Sequence, residues 1–200
     1  RKCLNLHNGV NINDAFLEAV KRDDDWRLID PKTNTAIKTV SARDLWWQLI
    51  STRAETGEPY IVNIDRCNEY LPDEQKLLGL DIKQSNLCSE ITLATNEERT
   101  AVCCLSSVNL EYFDDWSTVD TFIPDLITML DNVIQHFINH AVGEWPTNNE
   151  YMINKPLSFE EFQSCCDPVK IGYSKAAYSA YRERSLGLGA MGFHSYLQSK

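Results

Sequence analysis

One stretch of the sequence, residues 84–91, places three chemically useful side chains at alternate positions: Asn86, Cys88 and Glu90. Along an extended chain, residues two apart point to the same side, so an amide, a thiol and a carboxylate are predicted to converge. An amide can orient a polar substrate, a thiol can supply a nucleophile or a hydrogen atom, and a carboxylate can accept a proton. A half-buried edge strand with a solvated polar face would show the same alternation, although a free cysteine is usually buried.

Two common kinds of cysteine enzyme are not indicated by this stretch. A thiol protease or transferase needs a histidine base beside the thiol, and none of the four histidines is near Cys88 in the sequence. Folding could still bring a distant histidine close. A thioredoxin-like enzyme needs two cysteines separated by two residues, and the sequence has no such pair.

A second cysteine-bearing segment, residues 101–110, contains Cys103 at 15 positions beyond Cys88. Residues 90–94 and 101–110 are both predicted to be strands, joined by a polar turn at residues 96–99. Such a hairpin would bring the two cysteine-bearing segments side by side. The alternative is that Cys103 and Cys104 are small core residues of a strand.

The stretch Gly-Leu-Gly-Ala-Met-Gly, residues 187–192, matches the dinucleotide-binding pattern GxGxxG letter for letter. That fingerprint requires a strand before it, whereas residues 178–184 have a helical pattern. We therefore interpret these glycines as the means by which the chain leaves a helix and enters a tightly packed segment.

No metal site is predicted. The adjacent cysteine pairs, 103–104 and 165–166, lack the two to four intervening residues typical of structural zinc ligands. His136 and His140 share one helix face, but Phe137 stands where the metalloprotease pattern HExxH requires glutamate. We interpret these histidines as surface or packing residues.

Apolar periodicity and capping residues predict a mixture of helices and strands. The predicted helices cover residues 13–21, 41–57, 117–141, 158 onward and 174–184, and the predicted strands cover 26–30, 36–40, 60–64, 90–94 and 101–110. Pro124 either kinks the longest helix or marks its first turn. The apolar stripe of that helix indicates core packing, with a non-catalytic helical interaction module as the alternative.

Composition excludes several classes of protein. The net charge of −10, without a basic cluster, argues against nucleic acid as a partner, and no apolar run approaches the length of a membrane span. Seven cysteines, an odd number, and no secretory signal indicate a reducing, cytoplasmic compartment. Because the sequence opens on Arg1 and ends within an apolar pattern, we expect a fragment of a longer chain.

Two segments together resemble the large subunit of ribonucleotide reductase. Residues 84–91, Gln-Ser-Asn-Leu-Cys-Ser-Glu-Ile, resemble the Asn-x-Cys-x-Glu finger loop of that family. Residues 102–109, Val-Cys-Cys-Leu-Ser-Ser-Val-Asn, resemble the next strand, which carries one of two redox-active cysteines. Residues 4–11, 124–133 and 182–192 resemble further family segments, so the resemblance covers essentially the whole chain in family order.

The resemblance implies a role for each finger residue. Cys88 would be the thiyl radical that removes the 3′ hydrogen of the substrate ribose, and Glu90 would accept the proton of the 3′ hydroxyl. Asn86 would hold and polarise the sugar hydroxyls. The finger backbone, including Leu87 and Ser89, would also contact the substrate. Such a radical needs shielding from solvent, so the family places this site inside a closed barrel.

The resemblance also implies that Cys103 is half of the dithiol that supplies two reducing electrons. The resemblance assigns this role to Cys103, two residues before Leu105, rather than to Cys104. On a strand the two side chains point to opposite faces, so only one of them can face the site. The partner of Cys103 is expected outside these 200 residues.

The fold implied by the resemblance is a ten-stranded α/β barrel with the finger loop through its centre, of which residues 1–200 would be a partial catalytic domain. The activity implied is reduction of ribonucleoside diphosphates to deoxyribonucleoside diphosphates, with the fragment itself inactive. No cofactor is expected in this chain. A metal-containing small subunit would supply the radical, with adenosylcobalamin as the alternative source. The other partners implied are thioredoxin or glutaredoxin, a second large subunit, and nucleoside triphosphate effectors bound outside these residues.

Overall fold

The computed structural model describes residues 5–143, 145 and 156–200. The chain divides into two compact units, Arg1–Ala94 and Thr95–Lys200. The elements of the first unit are β1 (Gly9–Ile12), α1 (Asp14–Arg22), β2 (Asp25–Asp30), β3 (Thr35–Ser41), α2 (Ala42–Thr56), β4 (Tyr60–Asn63), α3 (Ile64–Glu69) and α4 (Asp73–Leu77).

In the first unit, strands β1 and β4 pair in parallel, with Gly9 opposite Tyr60. Strands β2 and β3 lie where the sequence predicts strands at residues 26–30 and 36–40, and they form an antiparallel hairpin. Helices α1 and α2 pack over a core centred on buried Phe16, whose ring meets that of Trp26 edge-on at 5.2 Å. A separate cluster in this unit contains four buried residues, Leu71, Leu80, Ile82 and Ala94.

Local side-chain chemistry sets the helix ends in the first unit. Asn13 caps α1 by accepting a hydrogen bond from the backbone N–H of Phe16, and Ser41 caps α2 by accepting from Asp44. Gly57 ends α2 in the left-handed conformation, at φ +77°. The helices predicted at residues 13–21 and 41–57 are therefore confirmed, together with the residues predicted to bound them.

The second unit contains β5 (Cys104–Asn109), a 3₁₀ turn (Leu110–Tyr112), α5 (Phe113–Trp116), α6 (Phe122–Ala141), α7 (Phe159–Ser164), a second 3₁₀ segment (Pro168–Tyr173), α8 (Ser174–Glu183), β6 (Leu186–Met191) and α9 (Phe193–Ser199). Strands β5 and β6 pair in parallel. The helix predicted from residue 158 onward is confirmed as α7, and Ser158 and Glu161 form a capping box at its start. Helices α6, α7 and α8 enclose the core of this unit, with Ile134, Ile138 and Phe162 almost fully buried.

The longest helix begins five residues later than predicted, at Phe122 rather than Ser117. The backbone N–H of Ser117 instead donates to the carbonyl of Phe113 at 2.8 Å and completes the preceding turn. Pro124 therefore lies in the first turn of α6, where a missing N–H costs little. The predicted apolar stripe packs into the core, except for exposed Ile127. That burial removes the observation on which the interaction-module alternative depended.

The predicted hairpin of residues 90–94 and 101–110 is wrong. Residues 90–94 are not a strand, and β5, shorter than predicted, pairs with β6 instead. Ala94 is only 1% exposed and packs with Leu80 and Ile82 in the first unit. This packing replaces the predicted strand pairing of residues 90–94. Alternation therefore did not specify whether residues 90–94 form a strand or which segment they contact.

The glycines of the GxGxxG stretch allow close packing, as the sequence predicts. Helix α8 precedes β6, so the strand that a dinucleotide fingerprint requires is not in front of them. A Cβ on Gly187 would lie 2.5 Å from Cδ2 of Leu105, and one on Gly189 would lie 3.0 Å from Oγ of Ser107. Side chains of β5 thus occupy the space above both glycines of β6.

Replacing Gly192 by alanine is expected to lower the free energy of unfolding by about 1–3 kcal/mol, because a left-handed residue with a Cβ is strained. Gly192 has φ +74°, and its new Cβ would overlap the side-chain oxygen of Asn109. Urea unfolding of the 200-residue chain, followed by circular dichroism, measures the change. Gly172→Ala is the matched control, since open space surrounds Gly172. Equal unfolding midpoints for both variants would contradict the prediction.

Among the helices in the described ranges, none combines the length and the apolar character that crossing a bilayer requires.

Candidate active site

The predicted catalytic residues lie in a loop between α4 and β5, and we call residues 84–91 the finger loop. Leu87 and Cys88 occupy a tight turn, closed by a hydrogen bond from the N–H of Ser89 to the carbonyl of Asn86 at 3.1 Å. Ser89 reverses the chain with φ +66°, in the left-handed region that non-glycine residues seldom adopt. The expectation of an extended strand here is therefore wrong.

Asn86 and Glu90 nevertheless meet, although a turn brings them together rather than strand alternation. Nδ2 of Asn86 donates to Oε1 of Glu90 at 2.8 Å. Oδ1 of Asn86 accepts from the backbone N–H of Ile91 at 3.1 Å, and Oγ of Ser85 donates to the carbonyl of Ile91 at 2.6 Å. The hydrogen bonds from the side chains of Ser85 and Asn86 to the backbone of Ile91 thus join the two ends of the finger loop.

Cys88 lies in the turn between the hydrogen-bonded Asn86 and Glu90, and it is exposed in this chain. Leu87 and Glu90 are also exposed, whereas Ser89 is half-buried. An exposed thiol is unusual, because free cysteines are among the most buried residues. In the sequence, a hydrogen-bonded amide and a hydrogen-bonded carboxylate stand on either side of this thiol.

A polar cavity of about 260 Å³ adjoins the finger loop within the first unit. It is lined by residues of the finger loop and of the neighbouring strands: His7, Asn8, Gly9, Asn11, Val62, Gln84, Ser85, Asn86, Leu87 and Ser89. At its edge, Nδ1 of His7 lies 2.6 Å from Oε1 of Glu58. The sequence contained no signal for this pair, whose members are 51 positions apart.

Cys103 and Cys104 lie in the second unit, on opposite sides of the chain, as strand alternation predicts. Cys104 packs against the buried core of α6, α7 and α8. Sγ of Cys103 is 3.9 Å from the position that a Cβ on Gly187 would take, on the face that also carries Leu105. Leu105 is 56% exposed, so the face of the β5–β6 pair on which Cys103 lies is open to solvent in this chain.

The remaining cysteines and histidines have packing roles or open surroundings. Burial raises the pKa of Cys166, which keeps this core thiol protonated and unreactive. The ring of His140 meets that of Tyr173 at 6.0 Å, as expected for a packing histidine. In the part of the chain that the structure describes, no group of three or more histidine, cysteine or acidic side chains could hold a metal ion. Cys3 lies outside the described residues.

A family model described as the barrel domain of ribonucleotide reductase matches residues 1–200. The chain therefore belongs to this family, and the resemblance drawn from the finger loop and the following strand is confirmed. Membership of this family also agrees with the α/β character of the two units.

Curated relatives carry matching names. The chain is 41% identical to a ribonucleoside-diphosphate reductase large subunit of Invertebrate iridescent virus 3, in a match covering 100% of this chain and 36% of that protein. It is 46% identical to a putative ribonucleoside-diphosphate reductase large subunit of Frog virus 3, in a match covering 99% of this chain and 30% of that protein. The chain thus spans about a third of the length of these relatives.

A solved structure agrees in fold. The class Id ribonucleotide reductase alpha subunit of Actinobacillus ureae superimposes with a TM-score of 0.65 at 34% sequence identity. The match covers 96% of this chain and 29% of that subunit.

Proposed function

We propose that this chain supplies the finger loop and one redox-active thiol of a ribonucleoside-diphosphate reductase. The observation that carries the proposal is the hydrogen bond of 2.8 Å between Asn86 and Glu90, with exposed Cys88 in the turn between them. Membership of the ribonucleotide reductase family supports it, as do the names of the relatives.

The reaction begins at Cys88 in its thiyl form. Its sulfur takes the 3′ hydrogen of the substrate ribose, so the S–H bond forms, the C3′–H bond breaks, and the unpaired electron moves to C3′. The two bonds are comparable in strength, which makes the transfer reversible. The carboxylate of Glu90 accepts the 3′ hydroxyl proton, and this eases cleavage of the bond between C2′ and its oxygen.

A dithiol supplies the two electrons and two hydrogens that the reduction needs. One hydrogen leaves with the 2′ oxygen as water, the other is delivered to C2′, and the two thiols become a disulfide. Cys103 is one of these thiols, and a second cysteine of the subunit is the other. Cys88 then returns its hydrogen to C3′ and regenerates the thiyl radical, while Glu90 returns its proton to the 3′ oxygen. The net change converts one ribonucleotide and two thiols into one deoxyribonucleotide, water and a disulfide.

Asn86 and the finger backbone hold the sugar in this scheme. The amide of Asn86 orients the carboxylate of Glu90 and presents its remaining hydrogen-bonding capacity to the sugar hydroxyls. Backbone groups of Leu87 and Ser89, at the turn, contact the rest of the substrate. Polar side chains of the adjoining cavity, including Asn8, provide further hydrogen-bonding surface.

The proposed partners extend beyond this chain. A separate metal-containing small subunit generates the radical, which the names "large subunit" and "alpha subunit" among the relatives support over adenosylcobalamin. Thioredoxin or glutaredoxin restores the dithiol, in a reducing cytoplasm, and two large subunits associate. Nucleoside triphosphate effectors bind elsewhere in the subunit. Residues 1–200 form part of a ten-stranded barrel and are inactive alone.

Glu90→Gln in the complete large subunit is expected to lower kcat by about 10²–10⁴-fold, the usual contribution of a general base. Glutamine keeps the size of the side chain and an oxygen that can accept a hydrogen bond from Asn86. The fall in kcat therefore reports the loss of proton acceptance alone. Reduction of cytidine diphosphate, with metal-loaded small subunit and dithiothreitol, measures it. Glu97→Gln, at an exposed position, is the control. Full activity of Glu90→Gln would remove Glu90 from the mechanism.

A further inference from the structure

The stem of the finger loop, residues 81–83, is held by a side chain that pairs with a peptide group. Nδ2 of Asn68 donates to the carbonyl of Ile82 at 3.0 Å, and the N–H of Ile82 donates to Oδ1 of Asn68 at 2.7 Å. Ile82 is only 3% exposed, so water has little access to its surroundings. The amide of Asn68 thus provides both hydrogen bonds that a neighbouring strand would otherwise provide.

A second asparagine holds the next residue of the stem. Nδ2 of Asn11 donates to the carbonyl of Lys83 at 2.7 Å. Asn11 lies on β1, and Asn68 lies on α3, which begins directly after β4. Since β1 and β4 pair with each other, both asparagines connect the stem to the same small sheet.

The amide of Asn68 is itself held in place. Its Nδ2 also donates to the carbonyl of Ile64, one turn earlier in α3, at 3.1 Å. The side-chain oxygen and the side-chain nitrogen of Asn68 therefore both form hydrogen bonds, which limits rotation of the side chain. The position of the stem is consequently set by α3 through a short and rigid connection.

We propose that Asn68, assisted by Asn11, is a positioning residue that sets where the finger loop holds Cys88. The inference rests on the proposed function, since it concerns the same thiol. The four residue-to-residue steps from Ile82 to Asn86 span at most about 13 Å, so a swing of about 5° at the stem moves the loop by about 1 Å. A displacement of about 1 Å can cost roughly a hundredfold in rate when reacting atoms must be aligned.

A purely structural role for Asn68 has different consequences. If the amide only satisfied a buried peptide group, its loss would lower stability, and enzyme that remained folded would keep its kcat. A positioning role lowers kcat in folded enzyme and leaves the affinity for substrate nearly unchanged. It also alters the surroundings of the Cys88 thiol in the absence of substrate.

The decisive variant is Asn68→Asp in the complete large subunit, assayed with the metal-loaded small subunit, cytidine diphosphate and dithiothreitol. Aspartate keeps the size and the acceptor but removes both N–H donors. We expect kcat to fall by about tenfold to a hundredfold, with KM within about threefold of the native value. Asn132→Asp is the matched control, because it makes the same change on the exposed face of α6.

Asn11→Ser is the milder second variant, since Asn11 is exposed and its loss endangers folding less. Like Asn68→Asp, it is expected to lower kcat, but by only about threefold to tenfold. If Asn68→Asp does not fold, the rate of Cys88 alkylation in Asn11→Ser without substrate decides the question, because Asn11 also lines the cavity proposed to bind substrate.

The rate of Cys88 alkylation by iodoacetamide, measured by peptide mass spectrometry, gives a readout that does not need activity. We expect this rate to change by at least about threefold in Asn68→Asp, because thiol reactivity follows the local environment, while the rate at Cys165 stays constant. Native kcat together with a native Cys88 alkylation rate in both variants would overturn the positioning role. If the native enzyme itself reduces no substrate, the proposed function fails, and the alkylation rates alone decide the role of Asn68.

Discussion

Cys88→Ser in the complete large subunit is expected to abolish reduction of cytidine diphosphate, with a loss of at least about 10⁴-fold, as when an enzyme loses its essential reacting side chain. A serine O–H bond is much stronger than the S–H bond of cysteine. An alkoxyl radical is therefore not available to the enzyme, and the 3′ hydrogen stays in place. The substitution changes one atom and nearly keeps the size of the side chain, so the fold should be retained.

The assay uses the metal-loaded small subunit and dithiothreitol, and it compares Cys88→Ser with Cys165→Ser. The control makes the same chemical change at a half-buried cysteine of the second unit, and it should keep nearly native activity. Equal activity of the native enzyme and Cys88→Ser would show that Cys88 does not carry the radical. If the native enzyme works only with adenosylcobalamin, the small-subunit proposal is wrong while the finger chemistry stands.

Breaking the buried ion pair between Arg99 and Glu183 is expected to lower the free energy of unfolding by about 3–5 kcal/mol, since the remaining charge is left buried without its partner. The side chains are 6% and 5% exposed, and Nη1 of Arg99 lies 2.9 Å from Oε1 of Glu183. The guanidinium also lies 5.1 Å from the centre of the Tyr178 ring, which adds a cation–π contact. The single variants Arg99→Met and Glu183→Leu each remove one partner.

The double variant Arg99→Met/Glu183→Leu is expected to recover most of the loss, because two apolar side chains of similar size leave no buried charge. Urea midpoints of the 200-residue chain for the native protein, both single variants and the double variant form a double-mutant cycle. Lys21→Met, which removes an exposed partner of Glu18, should barely move the midpoint. Additive losses in the double variant would show that the pair is not coupled.

Some of the fold could be predicted because the determining contacts are local. The caps at Asn13, Ser41 and Ser158 act on backbone N–H groups three residues ahead, so the helices they begin were found correctly. The hairpin of β2 and β3 joins neighbouring segments through a short turn. The residues proposed as catalytic, Asn86, Cys88 and Glu90, were singled out from the sequence because an amide, a thiol and a carboxylate stand at alternate positions.

The errors occurred where specific contacts of a segment, and not its alternation, decide the structure. Residues 90–94 have strand-like alternation, yet Ala94 is buried beside Leu71, and β5 finds its partner in β6. In the finger loop, the left-handed Ser89 and the double hydrogen bonding of Asn86 replace the expected extended chain. Neither arrangement follows from residue periodicity, which reports the tendency of a segment and not what it contacts.

The sequence by itself indicated where an amide, a thiol and a carboxylate could act together and where several helices begin, because residue type and neighbours within one turn decide both. Only the tertiary structure decided how those side chains are held. Asn68 reaches Ile82 across 14 positions, and Arg99 reaches Glu183 across 84. Contacts of that range depend on how helices and strands pack, because burial selects the pairs of polar groups that must satisfy each other away from water.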